Sequence, residues 1–367
     1  MKKRIILIFC ALCFALPALA EINIALVVPQ TGAYGIWGKE ITHGAEIAID
    51  EFNLSGGLMG QKLNVLKIDD TCSENLSISD AQMLSLGKNR QKPALVIGPY
   101  CSQGLSKISA IYAKARIFEI IPMPLDASEA KTTYPGMIKM AGFKDQISKD
   151  LFEFYNHKFA GLRIGLISDD EADVHLITDI RNIFKTHGKG SLLSEYYLSS
   201  TTDLDTISGL ACQNQVQVVF ISANARHTAK LIRKIKRIHP ETIVITSKYI
   251  ANNDFFENAE GYLSGVYFMA LPSLENNPSM AENIVKLRLS GIELNGLNIY
   301  GYTAVKMWAE LVLKAKSFEY QKLAALVHQH GFETSWGESF YNNGNIKKPL
   351  HYQFYGYADG DYLLEEF

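Results

Sequence analysis

This 367-residue chain has few cysteines, no block of like charge and no long apolar run after its first twenty residues. Its 36 Lys and Arg residues nearly balance 38 Asp and Glu residues, so nothing in the net charge of −2 indicates nucleic acid or a membrane surface as a partner. No apolar stretch after residue 20 reaches the length of a membrane span. The nine histidines are scattered, and no site for a metal is expected.

Catalytic motifs are also missing. The sequence contains no G-x-S-x-G elbow, no H-E-x-x-H and no Gly-rich phosphate loop followed by Lys-Ser/Thr. Four histidines stand without a nucleophile or ligand partner at motif spacing: His157, His175, His187 and His239. We therefore expect no enzymatic activity and no cofactor. An exported enzyme such as a hydrolase is the less favoured alternative.

The first twenty residues have the pattern of a cleavable export signal. A positive start, Met1 to Arg4, precedes an apolar run from Ile5 to Leu16, and Ala18-Leu19-Ala20 has the small-residue pattern of a cleavage site. The apolar run is too short to span a bilayer comfortably. We expect cleavage after Ala20 and a periplasmic chain that starts at Glu21.

Cleavage of that signal decides how the five cysteines are interpreted. Cys10 and Cys13 are removed with it, and neither follows the cleavage site, so a lipid-anchored start is not expected. In an oxidising compartment Cys72 and Cys101 are then the natural disulfide pair. Cys212, on the apolar side of a predicted helix, is expected to be a buried free thiol, with a zinc site as the weaker alternative.

The remaining chain of about 350 residues is too long for one hydrophobic core and predicts two domains. Strand-like apolar runs alternate with amphipathic segments, which predicts parallel sheets with helices on both faces. The predicted strands are Ile22–Val28, Leu63–Ile68, Ala94–Ile97, Ile117–Ile121, Ile164–Ile167, Val216–Ile221, Thr242–Ile245 and the strand-like end from His351 to Phe367. The predicted helices include one with Ile41, Ala45, Ala48, Ile49 and Phe52 on one face, Thr228–Ile238 and Gly301–Ala315.

The stretch from Asp69 to Ser102 is the most informative part of the chain. Cys72 and Cys101 each follow an apolar run, so both are expected just past the carboxyl ends of neighbouring strands, at the edge where open parallel sheets bind ligands. Ser102 precedes an amphipathic run and is the predicted N-cap of a helix, whose N-terminus would favour a carboxylate or another anion. Taken alone, the same residues also fit an ordinary capped helix beside a structural disulfide.

The mature chain resembles the periplasmic Leu/Ile/Val-binding proteins, which serve ABC importers of branched-chain amino acids. The resemblance covers essentially the whole mature chain and is strongest in its first half. The matching pieces are Thr31 to Gly38, Gly44-Ala45, Asn53 to Gly60, Asp69 to Cys72, Gly98 to Ser102 and Arg163 to Ile167. No single piece is specific, but their order and spacing are.

The resemblance implies two Rossmann-like α/β lobes with parallel sheets, joined by three crossovers, which is the type I periplasmic binding protein fold. It places the N-terminal lobe at 21–141 with about 272–346, and the C-terminal lobe at about 142–271 with 347–367. It implies a monomer that captures an amino acid or related small carboxylate by hinge closure and delivers it to an ABC permease in the inner membrane. A binding module that signals to a sensor is the alternative. The resemblance also implies one disulfide near the cleft, between Cys72 and Cys101.

The candidate ligand contacts are Trp37, Ser102, Gln103, Met123, Leu125, Asp126, Asp173, Asn224, Arg226 and Lys248. By resemblance, Trp37 packs against the ligand side chain and Ser102 binds the ligand carboxylate. Leu125 stands where the family has a hydroxyl for the ligand's head group, so one contact is lost.

In the second lobe Asp173 corresponds to the family's aromatic residue, and Lys248 to the acid that pairs with the ligand ammonium. A lysine would repel that ammonium. Asp126 and Asp173 could replace the acid, or the ligand could lack an ammonium and place a second carboxylate against Lys248 and Arg226. Alternatively, Lys248 points to solvent at the rim. We expect leucine, isoleucine and valine to bind poorly.

Overall fold

The computed structural model describes residues 21–87, 92–169, 174–188, 193–199, 204–247, 250–251, 253–272, 281–289, 291 and 296–366. The strands are β1 (Glu21–Val27), β2 (Lys62–Ile68), β3 (Leu95–Ile97), β4 (Phe118–Ile121), β5 (Met137–Lys139), β6 (Ile164–Asp169), β7 (Leu193–Leu198), β8 (Val218–Ser222), β9 (Ile243–Ser247), β10 (Val266–Ala270), β11 (Gly331–Thr334), β12 (Gly337–Asn342), β13 (Asn345–Ile346), β14 (Gln353–Ala358) and β15 (Asp361–Leu364). The α-helices are α1 (Gly35–Leu54), α2 (Glu74–Leu86), α3 (Leu105–Ala115), α4 (Asp145–Lys158), α5 (Val174–His187), α6 (Leu204–Gln213), α7 (Ala225–Ile238), α8 (Asn253–Ala259), α9 (Ala281–Leu289), α10 (Asn298–Ala315) and α11 (Tyr320–Leu326).

Two sheets organise the described residues. The first has the order β11-β12-β13-β5-β4-β3-β1-β2, and the second has the order β15-β14-β10-β9-β8-β6-β7. The α/β class and the two-lobed architecture are confirmed. Most strands of both sheets are parallel, as predicted. Antiparallel pairs are added by β11 to β13 at one edge of the first sheet and by β14 and β15 at one edge of the second.

Each sheet combines strands from two distant parts of the chain, and this pairing shows which segments belong to which lobe. The first sheet takes its parallel strands from residues 21–139 and its antiparallel edge from 331–346, while the second takes 164–270 and 353–364. The three boundaries expected from the sequence each lie between a strand of one sheet and the next strand of the other. We retain them as our proposal for the crossovers.

Helices α1 and α10 pack against each other so closely that two glycines are required. A Cβ on Gly44 would lie 1.7 Å from the carbonyl oxygen of Asn298, and one on Gly301 would lie 1.9 Å from that of Ile41. This close approach fixes the late helix α10, with the fully buried Trp308, against the first helix of the chain. No helix among the described residues has the length and apolar character needed to cross a bilayer.

Hydrogen bonds also join the late chain to α4. The carboxylate of Asp150, which is almost fully buried, accepts the backbone N–H of Tyr352 at 2.6 Å and lies 2.9 Å from Nδ1 of His351. The neighbouring ring of Phe154 stacks on Phe354 in β14 with a centroid distance of 4.1 Å. These contacts attach β14, in the antiparallel part of the second sheet, to helix α4.

Candidate ligand-binding site

The carboxyl ends of β1, β2, β3 and β4 meet at one edge of the first sheet because these four strands are parallel. The loop after β2 is organised by its two aspartates. Asp69 accepts hydrogen bonds from the backbone N–H of Gln30 at 2.7 Å and from the Thr31 hydroxyl at 2.6 Å. Asp70, fully buried, accepts from the N–H of Cys72 and from the Ser77 hydroxyl, each at 3.1 Å.

The two carboxyl groups differ in their pKa values. Burial raises the pKa of Asp69, but hydrogen bonds from Thr31, Gln30 and Thr71 more than offset this effect, so the pKa is lower than its ordinary value. Burial raises the pKa of Asp70, and its hydrogen bonds from Cys72 and Ser77 offset this only in part. Asp69 is therefore a stable anion that fastens the loop after β1 to the loop after β2.

The disulfide between Cys72 and Cys101 is confirmed, with a Cα–Cα distance of 5.5 Å, and Cys212 is a free thiol that is partly exposed rather than buried. The expectation that the two disulfide cysteines follow neighbouring strands is wrong, because β1 lies between β2 and β3. The bridge therefore passes across the end of β1. Gly98 allows this close approach, since a Cβ there would lie 2.0 Å from the carbonyl oxygen of Val27.

Three aromatic rings form a cluster on this edge, which we call the aromatic wall: Tyr34, Trp37 and Tyr100. The ring centroids of Tyr34 and Trp37 are 5.5 Å apart, and those of Trp37 and Tyr100 are 6.2 Å apart. Tyr34 closes the cluster at 5.9 Å from Tyr100 and is 36% exposed. Trp37, in the first turn of α1, thus packs with two tyrosines that the sequence analysis did not select.

Ser102 does not cap a helix, contrary to expectation. Helix α3 begins at Leu105, and Gly104 occupies the N-cap position with a left-handed φ of 75°. The Ser102 hydroxyl oxygen instead accepts the backbone N–H of Asp126 at 3.2 Å. Ser102 therefore joins the loops that follow β3 and β4, and Gln103 next to it is exposed.

The segment after β4 has a different arrangement from the one that the resemblance implied. Leu125 is fully buried with Leu105, Ile121 and Met137, so its side chain faces the core. Met123 is also buried, with 8% exposure. Asp126 is partly buried, and Nζ of Lys144 lies 3.1 Å from its buried Oδ1. The loss of a hydroxyl at Leu125 thus removes no group from the exposed edge.

The second sheet presents a polar cluster at the carboxyl ends of β6 and β8. The carboxylate of Asp169, which is not exposed, accepts the backbone N–H of Asn224 at 3.0 Å and lies 3.1 Å from Nδ1 of His227. Asn224 also caps α7 by accepting the N–H of His227 at 2.9 Å. Arg226 points outward and pairs with Asp254 at 3.1 Å. Asp173 and Lys248 lie outside the described residues.

The sequence analysis missed several polar and aromatic residues at these two edges: Tyr34, Tyr100, Lys144, Asp169 and His227. Tyr34 and Tyr100 had a signal, since each stands in a turn after a strand beside a selected residue. Lys144, Asp169 and His227 had none, because their partners are distant in the chain or lie on another element. Among the described residues, no three His, Cys, Asp or Glu side chains form a group that could hold a metal ion.

Comparison with known proteins agrees with this geometry. A family profile described as periplasmic binding protein matches residues 21–353. The chain belongs to the periplasmic binding protein family. Among curated relatives, an amino acid binding protein of Pseudomonas aeruginosa is 23% identical, with 93% of this chain and 91% of the relative covered. The Leu/Ile/Val-binding protein homolog 1 of Brucella suis is 25% identical, with 94% and 93% covered.

Solved structures share the fold of this family member at low identity. The substrate binding protein LivJ from Streptococcus pneumoniae, in complex with isoleucine, has a TM-score of 0.75 at 17% identity, with 94% of this chain and 99% of that chain covered. A solute binding protein of an ABC transporter from R. palustris, in complex with benzoate, has a TM-score of 0.75 at 15% identity, with 94% and 95% covered. These relatives are substrate-binding proteins, and the resemblance to the branched-chain amino-acid binding proteins is confirmed.

Proposed function

We propose that this chain is a periplasmic solute-binding protein that captures an amino acid or related small carboxylate between its two lobes and delivers it to an ABC permease. The observation that carries the proposal is the edge of the first sheet. Here the aromatic wall, and Ser102 two residues after its Tyr100, follow the carboxyl ends of parallel strands. Such edges are where open α/β sheets bind ligands. The relatives that bind isoleucine and benzoate support capture of a small carboxylate.

Binding is tested by calorimetric titration of the mature chain with a panel of amino acids and small carboxylates. A hydrogen bond from a hydroxyl to a carboxylate contributes about 1.5–3 kcal/mol, so Ser102→Ala should weaken the best ligand by roughly 10- to 100-fold. Ser106→Ala is the matched control, because Ser106 is exposed on α3. Failure of the whole panel to bind, or equal affinity in Ser102→Ala, would contradict the proposal.

Hinge closure has a separate test. Small-angle X-ray scattering should show a smaller radius of gyration when the ligand is added, because closing two lobes over a ligand compacts the molecule. An unchanged radius at saturating ligand would exclude closure while leaving binding intact. Uptake of labelled ligand by cells that lack this chain, with and without the chain restored, tests delivery to a permease. Equal uptake in both strains would favour the sensor role.

Lys248 remains a candidate contact on the basis of the resemblance. Lys248→Glu reverses a charge, which should weaken a carboxylate ligand by well over about tenfold if Lys248 contacts it. Calorimetry with the best ligand of the panel gives the ratio. Unchanged affinity would assign Lys248 to the solvent-exposed rim, and tight binding of leucine by the unmodified protein would contradict the expected discrimination against branched-chain amino acids.

A further inference from the structure

We propose that the ligand is an aromatic carboxylate that carries no ammonium group. This inference rests on the proposed solute-binding function and names the class of solute. Three features of the described edges support it: the hydrogen-bonding role of Ser102, the ion pair that occupies Asp126, and the aromatic wall.

Ser102 is arranged to donate a hydrogen bond. The Ser102 oxygen already accepts the N–H of Asp126 at 3.2 Å, and among the described residues the Ser102 hydroxyl donates to no acceptor. A hydroxyl whose oxygen already accepts one hydrogen bond can donate its hydrogen to an acceptor atom of the ligand. A carboxylate oxygen is a strong acceptor of this kind. Ser102 therefore selects the acidic end of a ligand.

Among the described residues, Asp126 is the aspartate that contacts Ser102 and could attract an ammonium, and Lys144 already neutralises it. Nζ of Lys144 lies 3.1 Å from Oδ1, and the side chains of Lys144 and Asp126 are only 27% and 13% exposed. An ammonium at this place would have to compete with a lysine that the chain itself supplies. The pair thus acts against a ligand with a positive head group.

The other aspartates at the two described edges are also occupied. Asp69, Asp70 and Asp169 each accept two or more hydrogen bonds from the protein. A desolvated ammonium without a counter-charge costs several kcal/mol, which exceeds a tenfold loss of affinity. An α-amino acid would bear this cost, whereas the same molecule without its amino group would not.

The aromatic wall favours a ring over an aliphatic chain. Its three centroids lie 5.5, 5.9 and 6.2 Å apart, within the 4.5–7 Å range in which aromatic rings attract one another. A fourth ring placed against Tyr34 and Trp37 continues the same packing. Such ring pairs contribute about 0.5–1.5 kcal/mol beyond the area they bury, so an aromatic ligand gains up to about tenfold over an aliphatic one.

The test is calorimetric titration of the mature chain with two matched pairs, 3-phenylpropionate with L-phenylalanine and 4-methylpentanoate with L-leucine, and with benzoate. The members of each pair differ only by the α-ammonium. We expect the acid without the amino group to bind at least about tenfold tighter in any pair that binds, and the aromatic acids to bind tighter than 4-methylpentanoate. Equal or tighter binding of an amino acid within its pair would overturn this inference and leave the proposed function standing. Failure of all five compounds to bind would overturn the inference, and failure of the wider panel as well would overturn the function.

A variant pair tests the assigned cause. Lys144→Met leaves Asp126 without its counter-charge, so the affinity ratio of 3-phenylpropionate to phenylalanine should move toward phenylalanine by at least about tenfold. Lys149→Met is the control, because it breaks the exposed ion pair with Asp145 and should leave the ratio unchanged. An unchanged ratio in folded Lys144→Met protein would overturn the role given to this pair. If Lys144→Met does not show a cooperative thermal transition, the same ratio is measured in Lys144→Gln.

Discussion

Glu119 should make the stability of the first lobe depend on pH. It lies on β4 with 2% of its surface exposed and accepts the Ser109 hydroxyl at 3.1 Å. Burial raises the pKa of Glu119 to about 8, although the hydrogen bond from Ser109 and the charge of Lys139 lower it in part. At neutral pH its carboxyl group is therefore mostly protonated.

The direction of the pH effect follows from proton binding. The folded protein keeps the Glu119 proton up to a pH of about 8, whereas an ordinary glutamate loses it near 4.5, so the folded state binds more protons between these values. The stabilisation from Glu119 is fully present below the lower value and is lost as the pH rises through the upper one. As the pH rises from about 5.5 to 7.5, this one group should lower the free energy of unfolding by roughly 2–3 kcal/mol.

Glu119→Gln isolates this effect, since glutamine keeps an oxygen for Ser109 and does not titrate. Urea unfolding at several pH values between about 5.5 and 7.5 should show that the wild-type protein loses roughly 2–3 kcal/mol more than the variant. Titrations that do not depend on Glu119 are common to both proteins and cancel in the difference. Glu333→Gln, at an exposed position of β11, should have the wild-type profile. Parallel profiles for wild type and Glu119→Gln would refute the argument.

Three further predictions concern the disulfide, the core and processing. Cys72 and Cys101 are 29 residues apart, so their disulfide constrains the unfolded chain. Replacing both by alanine should lower the free energy of unfolding, measured by urea denaturation, by about 3–4 kcal/mol. An unchanged free energy of unfolding would contradict this constraint. Phe154→Ala should cost about 3–5 kcal/mol because the ring is fully buried and stacked on Phe354, whereas Leu54→Ala, at a side chain that is 89% exposed, should stay within about 0.5 kcal/mol. An equal loss of unfolding free energy in Phe154→Ala and Leu54→Ala would contradict the stabilising role given to the buried ring. Intact-mass measurement of the exported protein should give a chain that starts at Glu21, and a retained signal or a lipidated cysteine would exclude the predicted cleavage.

The sequence by itself determined the elements whose side-chain pattern is local. The apolar runs predicted β1 to β4, β6, β8 and β9, and the 3.6-residue spacing of Ile41, Ala45 and Ala48 predicted α1. The small number of cysteines in the mature chain led to the disulfide, and the order of short motifs led to the family. Each of these conclusions depends on residues close together in the chain or on composition.

Only the tertiary structure decided which distant elements meet. The insertion of β1 between β2 and β3 depends on long-range hydrogen bonds. The same is true of β11 to β13, which join the sheet through the pairing of Asn345 in β13 with Lys139 in β5, about two hundred residues earlier. Ser102 looked like a helix cap because its sequence context fits one, but its oxygen accepts the N–H of Asp126 from another loop. The pairing of Asp126 with Lys144 likewise joins two loops whose contact no local pattern records. Residue identity and spacing selected candidate contacts, and the tertiary packing decided that Leu125 faces the core and that Asp126 pairs with Lys144.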